Sequence, residues 1–167
     1  LGISWNLENP RALQYAVQHA AAQVTKINDT TRSYLNAMIG QAVDEGWSYD
    51  RLSDAIGDRF TEFATGGPNP RSRRVAVYEL GDAYEEGNLI AAKELQAAGL
   101  EMEKKALTAG DDRVRPSHKG NAGAGWIPID SPFPSGDMRF PSDPGCRCTT
   151  LYRRRKLTPE EKRQREL

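Results

Sequence analysis

Leu95-Gln96-Ala97-Ala98-Gly99-Leu100-Glu101-Met102-Glu103-Lys104-Lys105-Ala106-Leu107-Thr108 divides the chain into two kinds of sequence. Before it, Val75, Tyr78, Ala83, Ile90, Ala91, Leu95 and Ala98 recur at helical spacing, and Gly99 stands where a glycine ends a helix in the left-handed conformation. This predicts a helix from about Ser72 to Ala98, opened by the break Thr65-Gly66-Gly67-Pro68-Asn69-Pro70. Gly81 and Gly87 each cost that helix about 1 kcal/mol relative to Ala, so packing must hold it, and small residues permit a neighbour to approach closely. After Gly99 the pattern changes. Leu100 to Thr108 alternates poorly but reads as one strand, and Pro, Gly and Asp then dominate as far as residue 145. Trp126 to Ile129, Met138 to Phe140 and Cys148 to Tyr152 are further candidate strands, each short and bounded by turn residues. The switch predicts an α+β fold, with long N-terminal helices followed by a small loop-rich unit carrying a short β-sheet.

On the N-terminal side, Asn9 can cap a helix and Pro10 suits its first position, where a missing N–H leaves nothing unpaired. Leu13, Val17, Ala20, Val24, Ile27, Thr31, Leu35, Met38 and Ala42 then follow in steps of four and three without a phase break. Read as continuous from residue 10 to 44, they predict a rod roughly 50 Å long. The alternative is a hairpin broken at Asn28-Asp29-Thr30, with Asp29 capping a second helix; the unbroken phase favours the rod. Gly46-Trp47-Ser48 ends this element, and Ser48 caps a short helix whose Leu52, Ile56, Phe60 and Phe63 share a face. The rod's apolar edge needs cover along its length, so Leu13, Val17, Val24, Ile27, Leu35, Met38, Phe60 and Phe63 are the expected partner-binding residues, with Trp5 and Trp47 anchoring the rod's ends. The predicted units are a helical arm over 1–65, an α+β domain over 71–156 (helix 71–98, strands and loops 100–152) and a polar C-terminal helix over 157–167. Thr158-Pro159-Glu160-Glu161 is a capping box that opens this last helix.

Composition narrows the functions. Hydrophobic residues make up 38% of the 167 and aromatics 8%, which implies a thin core and one domain, or one domain with an arm. No apolar run approaches the length that spans a bilayer, and the first residues lack the basic and apolar regions of a signal peptide, so no membrane partner is expected. The chain starts at Leu, compatible with a piece of a longer product. Net charge is zero, yet residues 1 to 65 carry five basic and eight acidic side chains while residues 139 to 156 carry six basic and one acidic. Polyanion contact therefore belongs near the C-terminus, on Arg153, Arg154, Arg155 and Lys156, through phosphates and without base reading. Arg71-Ser72-Arg73-Arg74 is a second basic cluster, equally well read as a solvated helix end. The two cysteines, in Cys146-Arg147-Cys148, close too small a ring for a relaxed disulfide and are read as reduced thiols or metal ligands.

The order of the C-terminal motifs resembles that of the tailed-phage head morphogenesis family, the minor head proteins that include the phage Mu F-type protein. The matching pieces are the strand ending in Leu107-Thr108-Ala109-Gly110, then Asp111-Asp112-Arg113-Val114-Arg115-Pro116-Ser117-His118, the loop Pro132-Phe133-Pro134-Ser135-Gly136, and the closing Cys146-Arg147-Cys148 before a strand. Asn28-Asp29-Thr30-Thr31-Arg32 and the helix after the Gly-Gly-Pro break also fit, so the resemblance covers most of the chain. Ala106 departs from it, standing where members often carry Trp, and Arg115 stands where some carry Cys. In those members two such residues and the Cys-x-Cys would supply four zinc-type ligands; here His118, Cys146 and Cys148 remain, with Asp111 or Asp112 as a candidate fourth. The competing reading has no cofactor: the two Cys are small buried groups on one strand face, and His118 hydrogen-bonds a carboxylate such as Asp112 within a structural loop network of Asp111, Asp112, Arg113, Arg115 and His118.

The resemblance implies a structural, non-enzymatic minor head protein, present in several copies inside the capsid near the portal vertex. It would bind the portal or other head proteins, touch packaged or ejected DNA, and reside in the host cytoplasm during assembly. The alternative is an enzymatic or toxin-like effector domain, with or without zinc, using Asp111, Asp112, His118, Cys146 and Cys148. His118 would be its general base and an aspartate the orienting group, but neither Ser117 nor the cysteines have a context that specifies activation.

Overall fold

The computed structural model describes residues 9–158 together with 160, 161 and 163. Among these the fold is α+β: α1 (Pro10–His19), α2 (Asp29–Asp44), α3 (Tyr49–Arg59), α4 (Arg71–Ala97), β1 (Met102–Leu107), α5 (Pro116–Gly123), β2 (Ile127–Pro128) and β3 (Thr149–Arg154), with one 3-10 turn at Thr61–Phe63.

The rod expected over residues 10 to 44 does not form. The chain leaves α1 at Ala20 and turns through Ala21 and Lys26, both at positive φ (60° and 56°), before Asn28 caps α2 by accepting the Thr31 N–H at 2.8 Å. Side chains take up the backbone groups freed by the break. Glu79 of α4 accepts the Ala21 N–H at 2.9 Å, and the Arg32 guanidinium donates to the carbonyls of Ala21 and Val24. The apolar phase runs unbroken for another reason: α1 and α2 bury their stripes in one shared core. That core also covers the expected docking surface. Val24, Leu35 and Phe63 are buried, Leu13, Ile27, Met38 and Phe60 are half-buried against the same cluster, and Leu52, Ile56, Val75, Ala76, Leu80 and Ala83 from α3 and α4 complete it. Of the eight residues assigned to a partner, Val17 alone is open to solvent, at 58% exposure.

The helix ends follow their local chemistry. Ser48 accepts the Arg51 N–H at the start of α3. Past α2, Gly46 (φ 64°) lets the Trp47 N–H reach back to the Ala42 carbonyl at 2.8 Å, and past α4, Gly99 (φ 91°) does the same for Leu100 and Leu95 at 3.1 Å. At the other end of the chain, Thr158 and Glu161 exchange the two bonds of a capping box. Residues 159, 162 and 164–167 of the predicted polar helix, and Trp5, lie outside the described residues.

The sheet has the order β2-β1-β3, antiparallel throughout, with Lys104 of β1 opposite Ile127 on one side and Tyr152 on the other. Met102, Lys104 and Ala106 face inward. The alternation looked poor because a lysine holds a core position, where its ammonium donates to the Met138 carbonyl at 2.7 Å and sits 5.0 Å from the Phe133 ring centroid. Residues 138–140, expected as a strand, form an irregular segment. Lys104 takes the Met138 carbonyl, and Thr150 Oγ1 accepts the Phe140 N–H at 2.9 Å, so side chains replace the ladder. α4 joins everything: its first half packs in the helical core, while Leu89 and Ala92 pack with Met102 and Ile129 beneath the sheet.

Candidate functional site

Residues 108–118, expected to be loop as far as His118, end in α5. Pro116 takes its first position, and His118 and Asn121, three apart, share the buried face. Two glycines among its eight residues hid this helix from propensity. Asn121 accepts the Ser135 N–H at 3.0 Å and donates to Ser135 Oγ at 2.7 Å, which fixes α5 to the Pro-Phe-Pro-Ser-Gly turn. On the far side, Gly145 (φ 92°) turns the chain into β3 after the Cys146 N–H has bonded the Asp143 carbonyl at 3.0 Å. Cys146 and Cys148, two residues apart, then point to the same side.

These pieces converge on His118. Its Nδ1 lies 3.7 Å from Cys146 Sγ and 3.5 Å from Cys148 Sγ, its ring packs 5.0 Å from that of Phe140, and all three residues are buried. A cavity of about 30 Å³ beside them is lined by Arg113, Val114, Arg115 and Arg147 as well as the three.

Two bidentate ion pairs flank the group. Arg147 grips Asp111 at 2.7 and 2.8 Å, and Arg115 grips Asp143 at 2.5 and 2.6 Å. The Arg147 guanidinium holds the Asp111 carboxyl far below its usual range, and Arg115 lowers that of Asp143. Burial, reinforced by Cys146, pushes the Cys148 thiol up to about 11. The expected pairing of His118 with Asp112 is replaced: Asp112 is exposed, and His118 faces the thiols. Neither is Asp111 or Asp112 a fourth ligand, because among the described residues the potential ligand group is His118, Cys146 and Cys148 without a carboxylate. Arg113 bonds Asp111 at 3.3 Å, so the loop network does join Asp111, Arg113 and Arg115 to partners, two of which (Asp143 and Arg147) sequence reasoning had not assigned to it.

The basic residues of the C-terminal stretch divide. Arg153 lies in β3, bonds Glu103 at 3.0 Å and stacks 3.9 Å from the Trp126 ring centroid. Arg155 is held between Glu101 and Glu161. Arg154 and Lys156 are exposed and make no ion pair among the described residues. In the other cluster, Arg71 donates to the Thr25 carbonyl, Arg73 pairs with Asp50, and Arg74 donates to the Asn69 carbonyl at 2.9 Å.

A model of the family described as phage Mu protein F like protein matches residues 33–151. The chain belongs to the phage Mu protein F like family. The match begins inside α2, takes in α4, His118 and both cysteines, and ends within β3. Membership of the phage Mu protein F like family makes this a phage head morphogenesis protein. No curated protein and no solved structure matches the chain. No described helix is long and apolar enough to cross a membrane.

Proposed function

We propose that this chain is a minor structural component of a tailed-phage head, acting by binding inside the capsid near the portal vertex and not by turnover. The observation that carries the reading is the family match over residues 33–151, which takes in α3, α4, most of α2 and the segment from β1 through both cysteines. The site's geometry supports a non-catalytic role. A cavity of about 30 Å³ admits roughly one water, Asp111 and Asp143 are committed to arginines, and Asp112 is exposed while His118 faces the thiols. A base without an orienting group, facing a space too small for a substrate, is poorly arranged for hydrolysis. Because the chain's own core covers the predicted docking stripe, the reading rests on the family and not on an extended helix.

Heads purified from cells expressing a tagged copy test it. The chain is expected in filled heads at several copies each, crosslinked to the portal protein; its absence from heads that otherwise assemble normally would overturn the proposal. Of the four residues expected to meet phosphates, Arg154 and Lys156 are the pair open to DNA, since Arg153 and Arg155 already have carboxylate partners. Replacing those two by Gln is expected to lower the salt slope of duplex binding by about 2, at roughly 0.9 for each phosphate no longer neutralised. An unchanged slope would place DNA elsewhere or nowhere.

A further inference from the structure

Both cysteine sulfurs converge on one atom, His118 Nδ1, at 3.7 and 3.5 Å. An imidazole nitrogen offers one lone pair or one N–H in the ring plane, so it can hydrogen-bond one thiol well, and the second thiol is left with the first sulfur, a weak acceptor, as its partner. A cation centred among the three satisfies all of them. With zinc bonds of about 2.3 Å to sulfur and 2.0–2.1 Å to nitrogen at a tetrahedral angle, the N···S edge is about 3.6 Å, and the two observed separations bracket it.

We propose that His118, Cys146 and Cys148 bind one zinc ion, with a water in the adjoining cavity as fourth ligand. The ion fastens α5 to the entry of β3 and closes the long loops between β1 and β3. Thiolate and imidazole donors with tetrahedral edges select zinc over the hard cations calcium and magnesium, which take oxygen. The charges balance: each thiol gives a proton to solvent, so two thiolates neutralise the dication beside a neutral imidazole, and the Arg147–Asp111 and Arg115–Asp143 pairs around them are already neutral. No further His, Cys, Asp or Glu joins the group among the described residues, and a cavity of about 30 Å³ has room for a single water. Such an ion stabilises a loop-rich unit that has little apolar surface to bury, because its binding free energy adds directly to folding. The inference is independent of the head-protein reading.

The test uses the full chain, purified under reducing conditions without chelator. Elemental analysis is expected to find about one zinc per chain. Cobalt exchanged into the site should show sulfur-to-cobalt charge transfer and tetrahedral d–d bands, and chelation should lower the Tm reversibly. Cys146→Ser and His118→Ala are each expected to reduce zinc content about tenfold or more. Should these variants fail to fold, the cobalt spectrum of the wild-type chain decides. A folded wild-type chain that takes up neither zinc nor cobalt, or a Cys146→Ser/Cys148→Ser double variant that keeps a full equivalent of zinc, would overturn the site.

Discussion

Glu79 of α4 is 5% exposed; one carboxylate oxygen accepts the Ala21 N–H and the other has no partner among the described residues. Glu85, 9% exposed, accepts from Thr149 Oγ1 and likewise leaves one oxygen unmatched. Burial raises both from 4.5 to about 7. Between those values the folded chain keeps protons that the unfolded chain has lost, so stability is greatest below pH 4.5 with respect to these groups and falls as pH rises towards 7. The effect is of order 3 kcal/mol for each glutamate. Glu79→Gln keeps an acceptor for Ala21 and removes the titration. Urea unfolding should show a smaller loss between pH 5 and pH 7.5 in this variant than in wild type, and almost none with Glu85→Gln added. An equal loss in all three chains would show that neither carboxyl holds its proton. Nothing in the run Tyr78-Glu79-Leu80 distinguishes a buried glutamate from a solvated one. Burial there is decided by the Ala21 turn, 58 positions away in sequence.

On α4, two glycines of the same helix meet different neighbours. A Cβ on Gly81 would find Pro141 Cγ at 3.7 Å, an ordinary contact, whereas one on Gly87 would lie 2.6 Å from Asn9 Nδ2 and 2.9 Å from the Ala12 backbone nitrogen. Alanine gains about 1 kcal/mol of helix propensity at either site. At Gly81 that gain survives, and Gly81→Ala is expected to stabilise by up to about 1 kcal/mol. At Gly87 the overpacking cost of about 1–3 kcal/mol exceeds it, since the first turn of α1 must move away, so Gly87→Ala is expected to be destabilising. Opposite signs in denaturant midpoints check the pair; two gains would mean that α1 does not lean on Gly87. The helix and its glycine stop were legible in the stripe and at Gly99. Which glycine touches a neighbour and which is merely tolerated was not, because periodicity records the face of a residue and not the distance to whatever covers it. β1 was obscured in the same way: Lys104 broke the alternation, since an alternating pattern assumes that inward means apolar, and an ammonium over Phe133 bonded to the Met138 carbonyl is an exception.

Across the whole molecule, Arg139 links three parts. It pairs with Asp82 at 2.6 Å and Glu86 at 2.5 Å on α4, and its guanidinium donates to the Tyr15 hydroxyl of α1 at 3.2 Å, all from the segment that also supplies Phe140 to the C-terminal core and the Met138 carbonyl to Lys104. Its side chain is 14% exposed, as is that of Asp82. Arg139→Met would leave two neighbouring carboxylates without their cation, and the expected cost is about 3 kcal/mol, because a partly buried charge loses its partner. The loss should appear as one shifted transition by both circular dichroism and tryptophan fluorescence, since α4 belongs to the helical core and to the one beneath the sheet. Two separated transitions would mean that the units fold independently.

The sequence by itself determined the class of the fold, the caps at Asn9 and Ser48, the glycine stops at Gly46 and Gly99, and the family resemblance carried by the Asp-Asp-Arg, His and Cys-Arg-Cys motifs. Each of these is set by residues within a turn or two of one another, or by the order of short motifs along the chain. Tertiary structure alone decided that the apolar stripe of α1 and α2, Val17 excepted, is covered by the chain's own core, that Arg153 and Arg155 are already neutralised, and that both thiols face one ring nitrogen. Local pattern states what a residue needs, while the identity of the group that meets the need depends on which distant segment the packing brings within reach.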